Sequence, residues 1–291
     1  MLRFRTLAVL GLLAAGIGWY LTAPQPLPAA ATAGLTGDAA KGEQVFWAAG
    51  CASCHMAPGA TGAAQLVLAG GQAFPSPFGT FLAPNISPSD QGIGGWTLAE
   101  FANAVTRGVS PDGAHYYPVF PYASYSRMEL QDLADLKAFM DGLPADATPS
   151  QPHQVGFPFN IRRSLGGWKL LFLNEDWVVG GDLTPAEARG RYIAEALAHC
   201  GECHTPRNLL GGMDRSRWLT GGPNPAGEGT IPNITPGKLS WSEAEIVEYL
   251  TTGFTPEYDS VGGHMAHVVE NMARLPESDR QAVAAYLKAI R

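Results

Sequence analysis

The sequence predicts an all-α fold in which one unit occurs twice. Helix-start signals recur at matching places along the chain, and a five-residue motif returns with its surroundings in a second copy. No stretch shows the sustained apolar–polar alternation of a half-buried strand. Ahead of the two copies stands one apolar segment long enough to be a membrane-spanning helix. A chain of 291 residues has room for about two domains. Abundant Gly and Pro with only 15% charged residues suit short helices joined by long loops. The net charge of −7, with no basic run, argues against a nucleic-acid partner.

The chain opens with Arg3 and Arg5, then an apolar run from Leu7 to Leu21 closed by Pro24 and Pro26. Thr6 to Thr22 is about the shortest span that crosses a bilayer, and Trp19-Tyr20 sits where an interfacial aromatic belt would lie. Residues 1–22 therefore read as a retained anchor or as a signal peptide. The small-residue cleavage site, Ala31-Thr32-Ala33, lies late, beyond three prolines, which favours the anchor. Either way the arginines hold the N-terminus inside and the remainder lies outside the cytoplasm. Residues 23–35, rich in Pro and Ala, read as a linker.

The first copy of the unit starts with a helix from near Asp38 to about Ala49 and leads into Cys51-Ala52-Ser53-Cys54-His55. The second copy carries Cys200-Gly201-Glu202-Cys203-His204, so all four cysteines of the chain are used. C-x-x-C-H is the attachment signature of a c-type haem. Each thiol adds across one porphyrin vinyl group, and His55 or His204 is then placed to bind iron from one face. Two covalently attached haem c groups are expected. A zinc half-site or a chance match does not explain two copies that use every cysteine.

The surroundings repeat in order. Pro84-Asn85-Ile86-Ser87-Pro88 answers to Pro232-Asn233-Ile234-Thr235-Pro236, and Trp96-Thr97-Leu98-Ala99-Glu100-Phe101 to Trp241-Ser242-Glu243-Ala244-Glu245-Ile246. Gly108-Val109-Ser110-Pro111-Asp112 answers to Gly253-Phe254-Thr255-Pro256-Glu257, and Ala138-Phe139-Met140 to Ala285-Tyr286-Leu287. Thr97 with Glu100 and Ser242 with Glu245 form capping boxes that start a helix at the same place in each copy. Thr184-Pro185-Ala186-Glu187 is a third box, opening the helix that leads into the second motif. Closing helices are expected from about Leu130 to Asp141 and from about Glu277 to Ala289. The units are residues 36–144 and 185–291, joined by a connector over 145–184.

Each half resembles a class I cytochrome c. There a helix precedes C-x-x-C-H, a Pro-Asn-Leu-like loop and a Trp-bearing turn follow, and a Met-bearing loop leads to a closing helix. Beyond its first segment the chain resembles membrane-anchored bacterial dihaem cytochromes c, related to the cytochrome subunits of periplasmic alcohol and sugar dehydrogenases. The resemblance implies that the Pro84 and Pro232 carbonyls accept the Nδ1 proton of the proximal histidines. It implies that the Trp96 and Trp241 indoles donate to haem propionates, although both residues also fit as core packing. It implies that Gly42 and Gly190 let the first and last helices of each half cross closely.

The sixth iron position is less uniform. Methionine opposite histidine is usual in an electron-transfer cytochrome c and raises the potential. In the second half Met265, in the loop ahead of the last helix, is the expected ligand, with Met272, His264 and His267 as rivals. In the first half Tyr117-Pro118-Val119-Phe120-Pro121-Tyr122 puts phenylalanine where related sequences carry the ligand methionine. Arg127-Met128 aligns with Arg274-Leu275, so Met128 is the favoured substitute; His115, Met140, another ligand or an open site remain alternatives. Met1, Met56 and Met213 are poorly placed in sequence.

In the connector, Arg162 and Arg163 could pair with propionates or the apolar face of 168–172 could dock a partner. The plainer expectation is a helix packed between the halves with solvated arginines. Taken together, the reading is a dihaem electron carrier at the outer face of the cytoplasmic membrane. Its donor would be a dehydrogenase or a quinol-oxidising complex, and its acceptor an oxidase or a soluble cytochrome. A dedicated dehydrogenase subunit and a dihaem redox enzyme of peroxidase or thiosulfate-oxidising type are the rivals.

Overall fold

A computed structural model describes residues 2–224, 227 and 229–290. Met1, set aside above as an iron ligand, and the side chain of Arg3, counted among the orienting charges, lie outside the described residues. Helix α1 (Leu2–Leu21) is a single apolar rod. Its window Phe4–Leu21 has a mean hydropathy of 1.5, and none of it is buried against protein. A helix of this length spans about 30 Å, the thickness of the hydrocarbon layer of a bilayer; a signal sequence would satisfy the same criterion.

The end of α1 is held. The Thr22 carbonyl accepts from His115 Nε2 at 2.9 Å. Arg163 donates to the Trp19 carbonyl and stacks over the Trp19 ring at 4.2 Å. The following segment is laid onto the first half rather than hanging free: Leu27 N donates to Asn103 Oδ1 at 2.6 Å and Thr32 is buried.

In the first half α2 (Ala39–Ala48) starts at Asp38, whose carboxylate accepts the orphan amides of Ala40 and Lys41. It leads into the single turn α3 (Cys51–His55). A hairpin of β1 (Ala73–Ser76) and β2 (Gly79–Leu82) follows, then α4 (Leu98–Ala102) with a π-helical continuation to Arg107, the short α5 (Tyr122–Tyr125), and the closing α6 (Leu130–Met140). The connector contains α7 (Ser164–Phe172). The second half runs α8 (Pro185–Arg191) with a π-helical continuation to Leu197, α9 (Gly201–His204), the strand pair β3 (Gly222–Pro223) and β4 (Thr230–Ile231), α10 (Glu243–Thr252), α11 (His264–Met272) and α12 (Glu277–Ala289).

All three expected capping boxes form, at Thr97–Glu100, Thr184–Glu187 and Ser242–Glu245. The opening and closing helices of each half cross at a glycine. A Cβ on Gly42 would lie 1.9 Å from the Asp135 carbonyl oxygen, and one on Gly190 would lie 1.9 Å from that of Ala282. No other residue permits so close an approach. Gly190 precedes its C-x-x-C-H motif by one residue more than Gly42 does, and the π turn of 192–197 absorbs that extra residue.

The fold departs from a purely helical one in its two small hairpins. Each β1–β2 strand is four residues long, and Pro75 and Pro77 break the pattern that would have announced it. Gln154 of the connector extends this hairpin, exchanging backbone bonds with Thr80 at 3.1 and 2.8 Å.

The connector also corrects an expectation: its arginines are not solvated. Arg162 donates to the His115 carbonyl at 2.6 Å and covers the Tyr117 ring at 4.7 Å, while Arg163 clamps α1. Helix α7 is wedged between α1 and both halves. A Cβ on Gly166 would lie 2.1 Å from the Thr22 carbonyl oxygen, Lys169 Nζ donates to the carbonyls of Arg107 and Gly108, and Trp168 Nε1 donates to that of Leu210 at 3.0 Å. One continuous apolar core runs through both halves, from Phe46, Leu133 and Met140 to Ile193, Leu219 and Tyr286.

Candidate haem-attachment sites

In each motif one helical turn carries the chemistry. Cysteines at i and i+3 with histidine at i+4 lie on one face of a helix, so a flat group against that face meets both thiols and the imidazole. The turn starts from a left-handed residue. In the first half this is Gly50 at φ 65°, whereas the second half uses His199 at φ 42°, a strained conformation for a side-chain-bearing residue.

His55 Nδ1 lies 2.9 Å from the Pro84 carbonyl oxygen, and His204 Nδ1 lies 2.9 Å from that of Pro232. A carbonyl only accepts, so Nδ1 carries the proton and Nε2 keeps its lone pair for a metal. Burial pushes the pKa of both histidines down, against the proline bond, and favours the neutral imidazole that binds iron. The loops returning to the histidines are braced alike: Gly70 N donates to the His55 carbonyl and Gly221 N to that of His204, each at 2.7 Å. Before attachment, burial pushes the Cys51 and Cys200 thiols up to about 12, and all four cysteines are free of disulfides.

These frames fit covalently attached haem. Each offers one imidazole nitrogen beside two thiols, and among the described residues no group of three or more His, Cys, Asp or Glu gathers around a bare ion. The indoles of Trp47, Trp168 and Trp218 donate within the protein. Trp96 and Trp241 are half-buried against the core, Trp241 beside Tyr249 at 5.1 Å, and no bond to either indole is seen among the described residues.

Met265 lies in the first turn of α11, half-buried against the core. Met128 is buried just before α6 and donates its backbone amide to Tyr125 at 2.9 Å; Leu275 occupies the matching place before α12 and donates to Met272 at 3.1 Å. Phe120 packs among the rings of Tyr116, Tyr122 and Tyr125. Met140 and Met272 are core residues, and Met56 is buried directly after His55. His115 is tied to the end of α1 through Nε2, with Nδ1 buried and unbonded. His264 is exposed, and His267 lies 3.4 Å from Glu270.

The two motifs meet across one seam. Ser124 Oγ donates to Glu202 Oε1 at 2.9 Å, and Asn271 Nδ2 donates to Ser53 Oγ at 2.8 Å. Ser53 and Glu202 are the third residues of their motifs. Ser124 and Asn271 each stand three residues before the matched Arg127 and Arg274. The same contact is thus made twice with the roles of the halves exchanged, as in a two-fold interface. Tyr125 fills the middle: its hydroxyl donates to the Ala49 carbonyl at 2.9 Å and its ring lies 5.6 Å from that of His199. Ser53 and Glu202 fill variable places of their motifs, and no motif marks Ser124, Tyr125 or Asn271. Their only signal in the sequence is a shared offset from the repeated landmarks.

Comparison with known proteins agrees with this geometry. The family profile for cytochrome c matches residues 39–144. The chain is 59% identical over 280 residues to a dihaem c-type cytochrome of Cereibacter sphaeroides, covering 96% of this chain and 95% of that one. It is 38% identical to the fructose dehydrogenase cytochrome subunit of Gluconobacter japonicus, covering 96% of this chain and 57% of that protein. It is 34% identical to the cytochrome c subunit of a quinone-dependent alcohol dehydrogenase of Gluconobacter oxydans, covering 86% and 54%. The chain therefore spans little more than half of each of these two dehydrogenase subunits.

Proposed function

We propose that this chain, which belongs to the dihaem c-type cytochromes, relays electrons from a dehydrogenase to a respiratory acceptor while anchored by α1 in the cytoplasmic membrane. It carries two covalently attached haem c groups and transfers electrons. Bound haem supplies the one-electron couple at each site. The chain supplies attachment through Cys51, Cys54, Cys200 and Cys203, a proton held on Nδ1 of His55 and His204 by the prolines, and burial. We take the halves, 36–144 and 185–291, as copies of one unit. Met128 and Met265 are proposed as sixth ligands, and Trp96 and Trp241 as propionate donors.

The observation that carries the relay is the doubled seam contact, Ser124–Glu202 and Asn271–Ser53, which holds the attachment turns against each other. A carrier that used its sites independently would need no such register. The relatives named as dehydrogenase subunits favour a dehydrogenase as donor, and the reading of α1 as an anchor puts the remainder on the periplasmic side. Adding the substrate of a co-purified flavin or quinone enzyme should reduce both haems. Reduction of one haem alone overturns the relay, and recovery without any dehydrogenase overturns the donor. For the ligand, Met128→Ala should halve the methionine–iron absorption band of the wild type; an unchanged band removes Met128.

A further inference from the structure

Around the end of α1 the surface is unusually apolar. Leu170 and Leu171 on α7 are 63% and 70% exposed, and Leu209 and Leu210 are 97% and 57% exposed. These residues come from the connector and from the second half, far apart in sequence, yet they converge. Trp168 of α7 donates to the Leu210 carbonyl at 3.0 Å, and Phe172 packs against Gly212. A soluble monomer rarely leaves such a patch uncovered.

Position names the occupant. Helix α7 touches the exit of α1 directly, through Gly166 on the Thr22 backbone and Arg163 on Trp19. At 1.5 Å per residue, Leu170 and Leu171 lie about 6–8 Å along α7 from that contact. Apolar side chains of interfacial helices bury about 5–10 Å deep at the headgroup–acyl boundary, a layer of the same order as the distance that separates the leucines from the exit of α1. The His115, Arg163 and Gly166 contacts also keep the body from swinging on a loose tether. Arg163 over the Trp19 ring supplies a cation and an aromatic ring of the kind typical of the interface.

We infer that Leu170-Leu171 and the Leu209-Leu210 tip form a second membrane contact, seating the body on the lipid surface beside α1 in one orientation. The inference rests on reading α1 as a retained anchor. The test is photolabelling of the full chain in phospholipid vesicles carrying an acyl-chain diazirine, with labelled peptides identified by mass spectrometry. Label is expected on α1 and also on peptides spanning 168–173 and 207–212. Leu170→Asp with Leu209→Asp should cut label on those two peptides about tenfold, the factor for losing about 1.4 kcal/mol of apolar transfer, and leave α1 unchanged. Label on α1 alone overturns the second contact, leaves the anchor standing and assigns the patch to a protein partner. Absence of label on α1 overturns the anchor, and the inference with it.

Discussion

The two halves hold the same frame inside different walls. At matching places the first half carries Ala52 and Val67 and the second Gly201 and Trp218; Gly201 faces the Trp218 ring, which would lie 2.1 Å from a Cβ on that glycine. Volume moves from one side of the contact to the other. The second wall is also polar where the first is not. Trp218 Nε1 donates to the Tyr286 hydroxyl at 2.8 Å, and that hydroxyl donates to the fully buried Glu195 at 2.8 Å. Glu195 accepts further from the amides of Val178 and Val179 at 2.6 and 3.0 Å. The first half puts Phe139 in the place of Tyr286, against Phe46 at 5.2 Å. The histidine–proline bond and the glycine crossing tolerate either wall, because each is made against a backbone carbonyl outside the wall.

Removing the polar wall should have the largest effect. Glu195→Ala strands two amides and a buried hydroxyl and should cost about 3–5 kcal/mol in denaturant unfolding. The milder Glu195→Gln should raise the potential of the second haem only; equal shifts at both haems would remove the distinction between the walls. Next, Gly201→Ala should cost about 1–3 kcal/mol by overpacking against Trp218, and Trp218→Val in the same chain should recover part of it by restoring the first half's pairing. Additive losses in the double variant would break the comparison.

Ser124→Ala and Asn271→Ala should each cost about 1 kcal/mol by thermal unfolding, and by similar amounts if the seam is two-fold. The smallest effect concerns the capping boxes. Backbone and side-chain bonds from Thr97 and Ser242 hold Glu100 and Glu245 below the ordinary value of 4.5. Their contribution is therefore complete above pH 4.5 and lost as pH falls through the depressed folded values. Amide exchange at the starts of α4 and α10 should rise together over that window. Fraying of one alone would show that the boxes are not equivalent.

Much of this is legible in the sequence. Capping boxes are local chemistry, so Thr97, Thr184 and Ser242 announce their helices within four residues. Gly42 and Gly190 stand out by their place in the repeat. The hairpin at 73–82 was not legible, because four-residue strands containing proline carry too little periodicity to register. Nor were the roles of Arg162, Arg163 and His115. A basic pair in a polar connector reads as solvated, and only packing brings it to the end of a helix some 140 residues earlier.

The sequence by itself determined the cofactor chemistry, since C-x-x-C-H confines thiols and imidazole to one helical turn whatever lies around it. It also determined the helical frame that repeats around that turn. Only the tertiary structure decided that the two turns face each other through Ser53, Glu202, Ser124 and Asn271, and that α7 is wedged against the end of α1. Those contacts join residues far apart in the chain. They depend on complementary surfaces that only the packed fold brings together, and such surfaces leave no periodic or local trace.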